Sequence, residues 1–235
     1  MNQCINIRNQ ATDFFLYAYF GIKIDDAFES IVNKCVMRAY LDMNRTLKVR
    51  SDVSGVSFQK EYAKLITKII LNGKTISEIQ SECYKLFIEN SNVEDKPKAE
   101  LNDYLETRVL KDTSKRSGNC IYYGQAQKWI NMSLKYLWLL GIINDEETKD
   151  LDIPIDSIIM FAASEKYGTE FLTDTKSHLK KKYCSTTMPW SKLSSKEYND
   201  IQGGIKKEIL DKKPIEWESD IWIEYAEKKK QHDKW

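Results

Sequence analysis

Two histidines, nine glycines and four prolines are all that 235 residues hold of those types. So few glycines and prolines do not furnish the turns of a β-sandwich or the glycine fingerprint of a dinucleotide-binding core. His178 and His232 alone do not make a His/Cys zinc site. No metal and no cofactor is expected. The five cysteines (4, 35, 83, 120 and 184) are odd in number and form no CxxC pair. They read as reduced thiols in a reducing compartment rather than as a disulfide frame. The longest apolar run, at 137–143, is too short to span a membrane. The opening MNQCINIRNQ has no apolar signal core, so a cytoplasmic chain with no membrane partner is expected. A net charge of +1 excludes a uniformly basic nucleic-acid coat. No P-loop, GxGxxG, GxSxG or HExxH stands anywhere in the chain.

What is present is helical pattern. Hydrophobic residues at 42% and charged residues at 30% exclude wholesale disorder. Phe28, Ile31, Val32, Cys35, Ala39 and Met43 fall on one stripe of a helix over 26–43, fronted by Asp26 and Glu29 as a capping box. A second helix is predicted over 58–71 and ends at Asn72-Gly73. Thr75 and Glu78 cap a third over 76–89. Further helices are predicted near 99–111, 123–140, 157–167 (capped by Asp156), 195–210 (capped by Ser194 and Glu197, kinked at Gly203-Gly204) and 214–230, where Pro214 suits the first turn. Part of 1–24 is also read as helix. The polar stretch NSNVEDKPK at 90–98 predicts a linker between two helical lobes of one globular domain, 1–90 and 99–235. The expected architecture is all-α.

Charge is segregated along the chain. Residues 96–135 carry eight Lys/Arg against four Asp/Glu, 136–175 carry two against nine, and 176–213 carry ten against four. One reading is solvated helix faces. The other is two basic patches that contact phosphate from either side of a cleft, with Lys115, Arg116, Lys180, Lys181 and Lys182 as the backbone contacts.

The segment richest in chemistry is YYGQAQKWINMSLKYLWLLG at 122–141, followed by DLDIPIDSIIM at 150–160. A turn at Gly124 leads into a helix with Lys128 in its first turn. Gln125, Lys128, Asn131 and Lys135 share one polar face at 100° per residue. Pro154 stiffens the approach to Asp156, which stands before an apolar helix where an ionised carboxylate is favoured. Taken singly, Lys128 reads as a solvated lysine and Asp156 as a plain cap; the combination is what suggests a site.

Gly124, Lys128 four residues later, and Pro154-Ile155-Asp156 resemble the two motifs of the helix-hairpin-helix DNA glycosylase superfamily, over roughly 115–165. The longer spacing from lysine to aspartate is similar to that of the archaeal-type 8-oxoguanine DNA glycosylases. The chain departs from the pattern where Ala126 replaces the second hairpin glycine, where Cys120-Ile121-Tyr122-Tyr123 stands before the turn, and at Ile158. The resemblance implies a two-lobed fold with a helix-hairpin-helix-like element and a central cleft. It implies Lys128 as the nucleophile that forms a Schiff base at the sugar C1′, and Asp156 as the carboxylate that stabilises charge developing on the sugar. An amine attacks only as its free base, so burial or a nearby cation such as Lys135 has to favour that form. The EWESDIW stretch resembles the late helix in which that family places an acid four residues before a tryptophan to bind the base, here Glu218 and Trp222. Trp190, in TTMPWSKL beside the basic SHLKKKY, is a further base-binding candidate, and Trp217 is read as a core anchor.

The function expected is a monomeric glycosylase, with lyase activity, that excises an oxidised purine such as 8-oxoguanine from damaged duplex DNA. Two other readings fit the same residues. One is a non-catalytic helical protein that binds nucleic acid or protein, a regulator or defence component whose Lys128 stripe meets phosphate. The other is a small-molecule-binding bundle built on the aromatics.

Overall fold

Helical periodicity becomes eight α-helices in the computed structural model, which describes residues 9–44, 55–72, 75–89, 123–167, 190–193, 195–209 and 212–232. No strand occurs among the described residues, so this part of the fold is all-α. The helices are α1 (Asn9–Phe20), α2 (Phe28–Met43), α3 (Gly55–Leu71), α4 (Ile76–Glu89), α5 (Tyr123–Leu139), α6 (Ser157–Tyr167), α7 (Ser195–Ile209) and α8 (Pro214–His232), with 3₁₀ turns at Glu147–Asp150 and Trp190–Lys192. The linker at 90–98, the helix expected near 99–111 and Ser194 lie outside the described residues, and with them the first half of any helical hairpin.

Local signals set several of the helix ends. The Thr75 hydroxyl accepts the Glu78 N–H (3.3 Å) while Glu78 accepts the Thr75 N–H (3.0 Å), a reciprocal capping box. Asp156 Oδ1 accepts the N–H groups of Ile158 (2.9 Å) and Ile159 (3.0 Å) and caps α6. At Gly141 (φ 71°) the backbone enters the left-handed region and closes α5. The cap expected on α2 is different. Ala27 occupies that position with no side-chain bond, and Asp26 instead accepts the Lys23 N–H (2.7 Å) and the Lys34 ammonium (2.5 Å). α7 runs unbroken through Gly203-Gly204.

The apolar core forms two clusters. The first gathers side chains of α2, α3, α4 and α5 around Trp129, whose ring meets Tyr40 at 4.9 Å and Phe87 at 5.7 Å and whose indole N–H donates to the Val36 carbonyl (2.9 Å). The second joins Ile153 and Ile155 to residues of α6, α7 and α8. The apolar residues of α5 thus pack with the N-terminal helices. Cys35 and Cys83 are buried free thiols, and burial pushes both up to about 12, so they are inert packing groups. No helix among the described residues is long and apolar enough to cross a membrane.

α5 is the most enclosed element, with every residue from Gly124 to Leu134 buried. The polar side chains on it are therefore interior rather than a solvated stripe. They are satisfied by distant partners: Gln80 donates to Asn131 (3.1 Å), and Asn131 donates to the Tyr198 hydroxyl (2.7 Å). Gly124 permits the enclosure. Its N–H donates to the Leu193 carbonyl (3.0 Å), and a Cβ there would collide with the Trp190 carbonyl oxygen and come within 2.9 Å of the Leu193 nitrogen. Gly124→Ala is thus expected to force the 190–193 turn off α5, at a cost of about 1–3 kcal/mol. Thermal melting would register this as a fall of several degrees in Tm.

Candidate active site

Lys128 lies in the second turn of α5 and Asp156 at the N-terminus of α6, 28 residues apart in sequence. Two glutamines bring them together by gripping the extended segment 151–156. Gln127 donates to the Ile155 carbonyl (2.8 Å) and accepts the Ile155 N–H (3.2 Å). Gln202 of α7 holds Ile153 in the same two-point manner. Each member of the pair therefore directly follows a clamped residue, Lys128 after Gln127 and Asp156 after Ile155. The result is an ion pair with Lys128 Nζ 2.9 Å from Asp156 Oδ2, the side chains only 6% and 14% exposed.

The Asp156 oxygens divide their work. Oδ1 takes the two N–H groups of α6, while Oδ2 takes the Lys128 ammonium and the Trp222 indole N–H (3.3 Å). Burial alone would raise this carboxyl. The Lys128 charge and the bonded donors outweigh it and hold Asp156 below its ordinary value.

A second pair lies beside the first. Lys135, seven residues along α5, forms a short ion pair with Oε2 of Glu218 on α8. Glu218 is fully buried, and among the described residues its Oε1 accepts no hydrogen bond. Burial pushes the Glu218 carboxyl up despite the neighbouring Lys135 and Lys128. Trp222 follows one turn later on α8 and is 42% exposed. Both pairs and Trp222 line one cleft of about 420 Å³, whose lining also includes Tyr19, Phe20, Asp42 and Tyr136.

Of the residues singled out in the sequence, Lys128, Asp156, Glu218 and Trp222 therefore share a cleft. Lys135 shares it too, but paired to Glu218 rather than standing as a free cation beside Lys128. Trp190 does not line it. Its ring packs against both apolar clusters, and its backbone rests on Gly124. The lysines around it suggested an exposed loop; the missing Cβ of Gly124 instead draws it inward. Trp217 is buried, with its indole N–H on the Tyr167 hydroxyl (3.0 Å). Lys115, Arg116, Lys180, Lys181 and Lys182 lie outside the described residues.

Sequence reasoning missed Gln127 as a clamp and Asp42, Tyr19 and Tyr136 as cleft residues. Gln127 and Tyr136 are the chain neighbours of Lys128 and Lys135; Asp42 and Tyr19 carried no signal. No group of three His, Cys, Asp or Glu side chains among the described residues could hold a metal ion.

In comparisons with protein families, curated proteins and solved structures, the chain matches none.

Proposed function

We propose that this chain is a DNA glycosylase with lyase activity that removes an oxidised purine, such as 8-oxoguanine, from damaged duplex DNA. The observation that carries the reading is the Lys128–Asp156 pair, buried at the edge of a cleft that also holds an acid, a second lysine and a half-exposed tryptophan. An extruded base needs a flat partner and polar groups for its edge, and Trp222, Glu218 and Lys135 are of those types.

The steps follow from the residues. Lys128 Nζ gives a proton to Asp156 Oδ2 and attacks C1′. The C1′–N9 bond breaks with its electrons passing to the base, which leaves with the proton that Asp156 had taken. The new C1′–N ammonium gives one N–H proton to O4′ as the sugar ring opens, and a C1′=N iminium to Lys128 forms. Loss of a C2′ proton then expels the 3′ phosphate. Asp156, ionised again, stabilises the positive charge at C1′. Borohydride delivers hydride to the iminium carbon and freezes the adduct. An oligonucleotide carrying 8-oxoguanine, incubated with the protein and borohydride, is therefore expected to give a covalent complex on a denaturing gel. No adduct with this duplex or with a preformed abasic site would overturn the reading.

Trp222 gives a separate check. At 42% exposure it is not a core anchor, so Trp222→Ala is expected to shift Tm only slightly. Excision should fall by roughly the stacking value of one base, about 1–3 kcal/mol. Binding to undamaged duplex should change far less. Single-turnover excision beside a melting curve tells these apart, and a large loss of stability with unchanged excision would remove Trp222 from the base site.

A further inference from the structure

Three carboxylates line the cleft, and two of them are paired to its lysines: Asp156 to Lys128, and Glu218 to Lys135. The third, Asp42 near the end of α2, is held differently. Its Oδ1 accepts from Arg38 Nη2 (3.2 Å), one turn back on α2, and its Oδ2 accepts a short bond from the Tyr136 hydroxyl. Tyr136 is in turn bonded to the Tyr19 hydroxyl (2.9 Å), and the Arg38 guanidinium lies 3.9 Å from the centre of the Tyr19 ring. The carboxylate is thus fixed in orientation, 22% exposed, and answered by a cation that is not itself part of the cleft lining. A carboxylate offers about four acceptor positions. Among the described residues, Arg38 and Tyr136 take two of them.

We infer that Asp42 is the specificity-determining residue of the cleft and that its remaining acceptor positions select a guanine-type base by its two adjacent donors, N1–H and the 2-amino group. This rests on the glycosylase reading and narrows it. A rigid carboxylate matches two parallel N–H donors, as in other bidentate pairs. An adenine-type edge turns the N1 lone pair toward the same oxygens and is repelled. Lys135 and Glu218, a donor beside an acceptor, supply the complementary set for an edge bearing a carbonyl and an N–H.

The test is single-turnover borohydride trapping of the full chain on three duplexes that differ in one nucleotide: 8-oxoguanine, 8-oxohypoxanthine, which lacks only the 2-amino group, and a preformed abasic site. Wild type is expected to trap 8-oxoguanine at least about tenfold faster than 8-oxohypoxanthine. In Asp42→Asn, an isosteric change that sets a donor against a donor, this ratio should fall toward one. Asp42→Glu keeps the charge facing Arg38 but displaces the oxygens by one methylene, and it should shrink the ratio as well. Equal wild-type rates on the two purines, with the abasic site still trapped, overturn the inference and leave the glycosylase reading standing. A ratio that survives in either folded variant also overturns it. So does an equal fall on all three substrates, which would mark Asp42 as a structural group. A wild type that traps none of the three overturns the glycosylase reading, and this inference with it.

Discussion

Lys128→Gln is expected to abolish borohydride trapping, because glutamine has no amine to attack C1′. Lys135, the other lysine lining the cleft among the described residues, is paired to Glu218 and not to Asp156, the carboxylate that takes the proton in the proposed step. The structure adds a stability cost. Lys128 is the cation that answers Asp156, and the pair is almost entirely shielded from water. Removing one partner of such a pair leaves an uncompensated charge, at a cost of about 3 kcal/mol. Asp156 keeps its two α6 N–H bonds and the Trp222 bond, which limits the damage. The expected result is a folded protein with a lower Tm, retained affinity for undamaged duplex and no covalent complex on either 8-oxoguanine or abasic DNA. Adduct formation by a Lys128→Gln protein would move the nucleophile elsewhere.

Asp156→Asn is expected to slow base removal by about two to three orders of magnitude, the loss typical of one preorganised electrostatic group. Asparagine caps a helix about as well as aspartate, so the α6 N-terminus should survive. The ion pair does not survive, and a stability change therefore has to be separated from the kinetic one. The titration does this. The Asp156 carboxyl sits below its ordinary value of 3.8 in the fold, so ionisation favours the folded state. That contribution is full at neutral pH and is lost as pH falls through the folded value. The Tm gap between wild type and Asp156→Asn should accordingly be widest near neutrality and close in strong acid. A gap that stays constant with pH would mean that the pair contributes nothing to folding. A double-mutant cycle with Lys128→Gln would measure the pair itself, since neighbouring losses do not add. Full excision activity in Asp156→Asn would leave the residue a cap and nothing more.

The features legible in the sequence are those whose causes lie within a few residues. The capping box of Thr75 and Glu78, the Asp156 cap and the stripe from Val32 to Met43 each depend on side chains no more than a turn or two apart, and each is present in the fold, whereas Phe28, read as the start of that stripe, is exposed. Juxtaposing Lys128, Asp156 and the Glu218–Trp222 pair needed a motif resemblance, because nothing local links these three places, which lie 28 to 94 residues apart. What lay beyond reach was coverage. A helical wheel gives Gln125, Lys128, Asn131 and Lys135 a common face; it does not say that α4, α7 and the 151–156 segment will close over that face. Nor does it say that Asp42 will arrive from α2 to meet the Tyr136 hydroxyl.

The enclosure of α5 also bears on how the protein moves. Amides surrounded on every side exchange with solvent only through large-scale opening, while rim elements breathe at much lower free energy. Lys128 therefore rides on the part of the molecule that loosens last. Trp222, half exposed on α8, and the exposed aromatic residues of α1, including Tyr19, stand at the water-facing edge. If the glycosylase proposal holds, an incoming nucleotide is expected to be accommodated at the α1 and α8 edge rather than by displacement of Lys128, whose distance to Asp156 is already set at 2.9 Å.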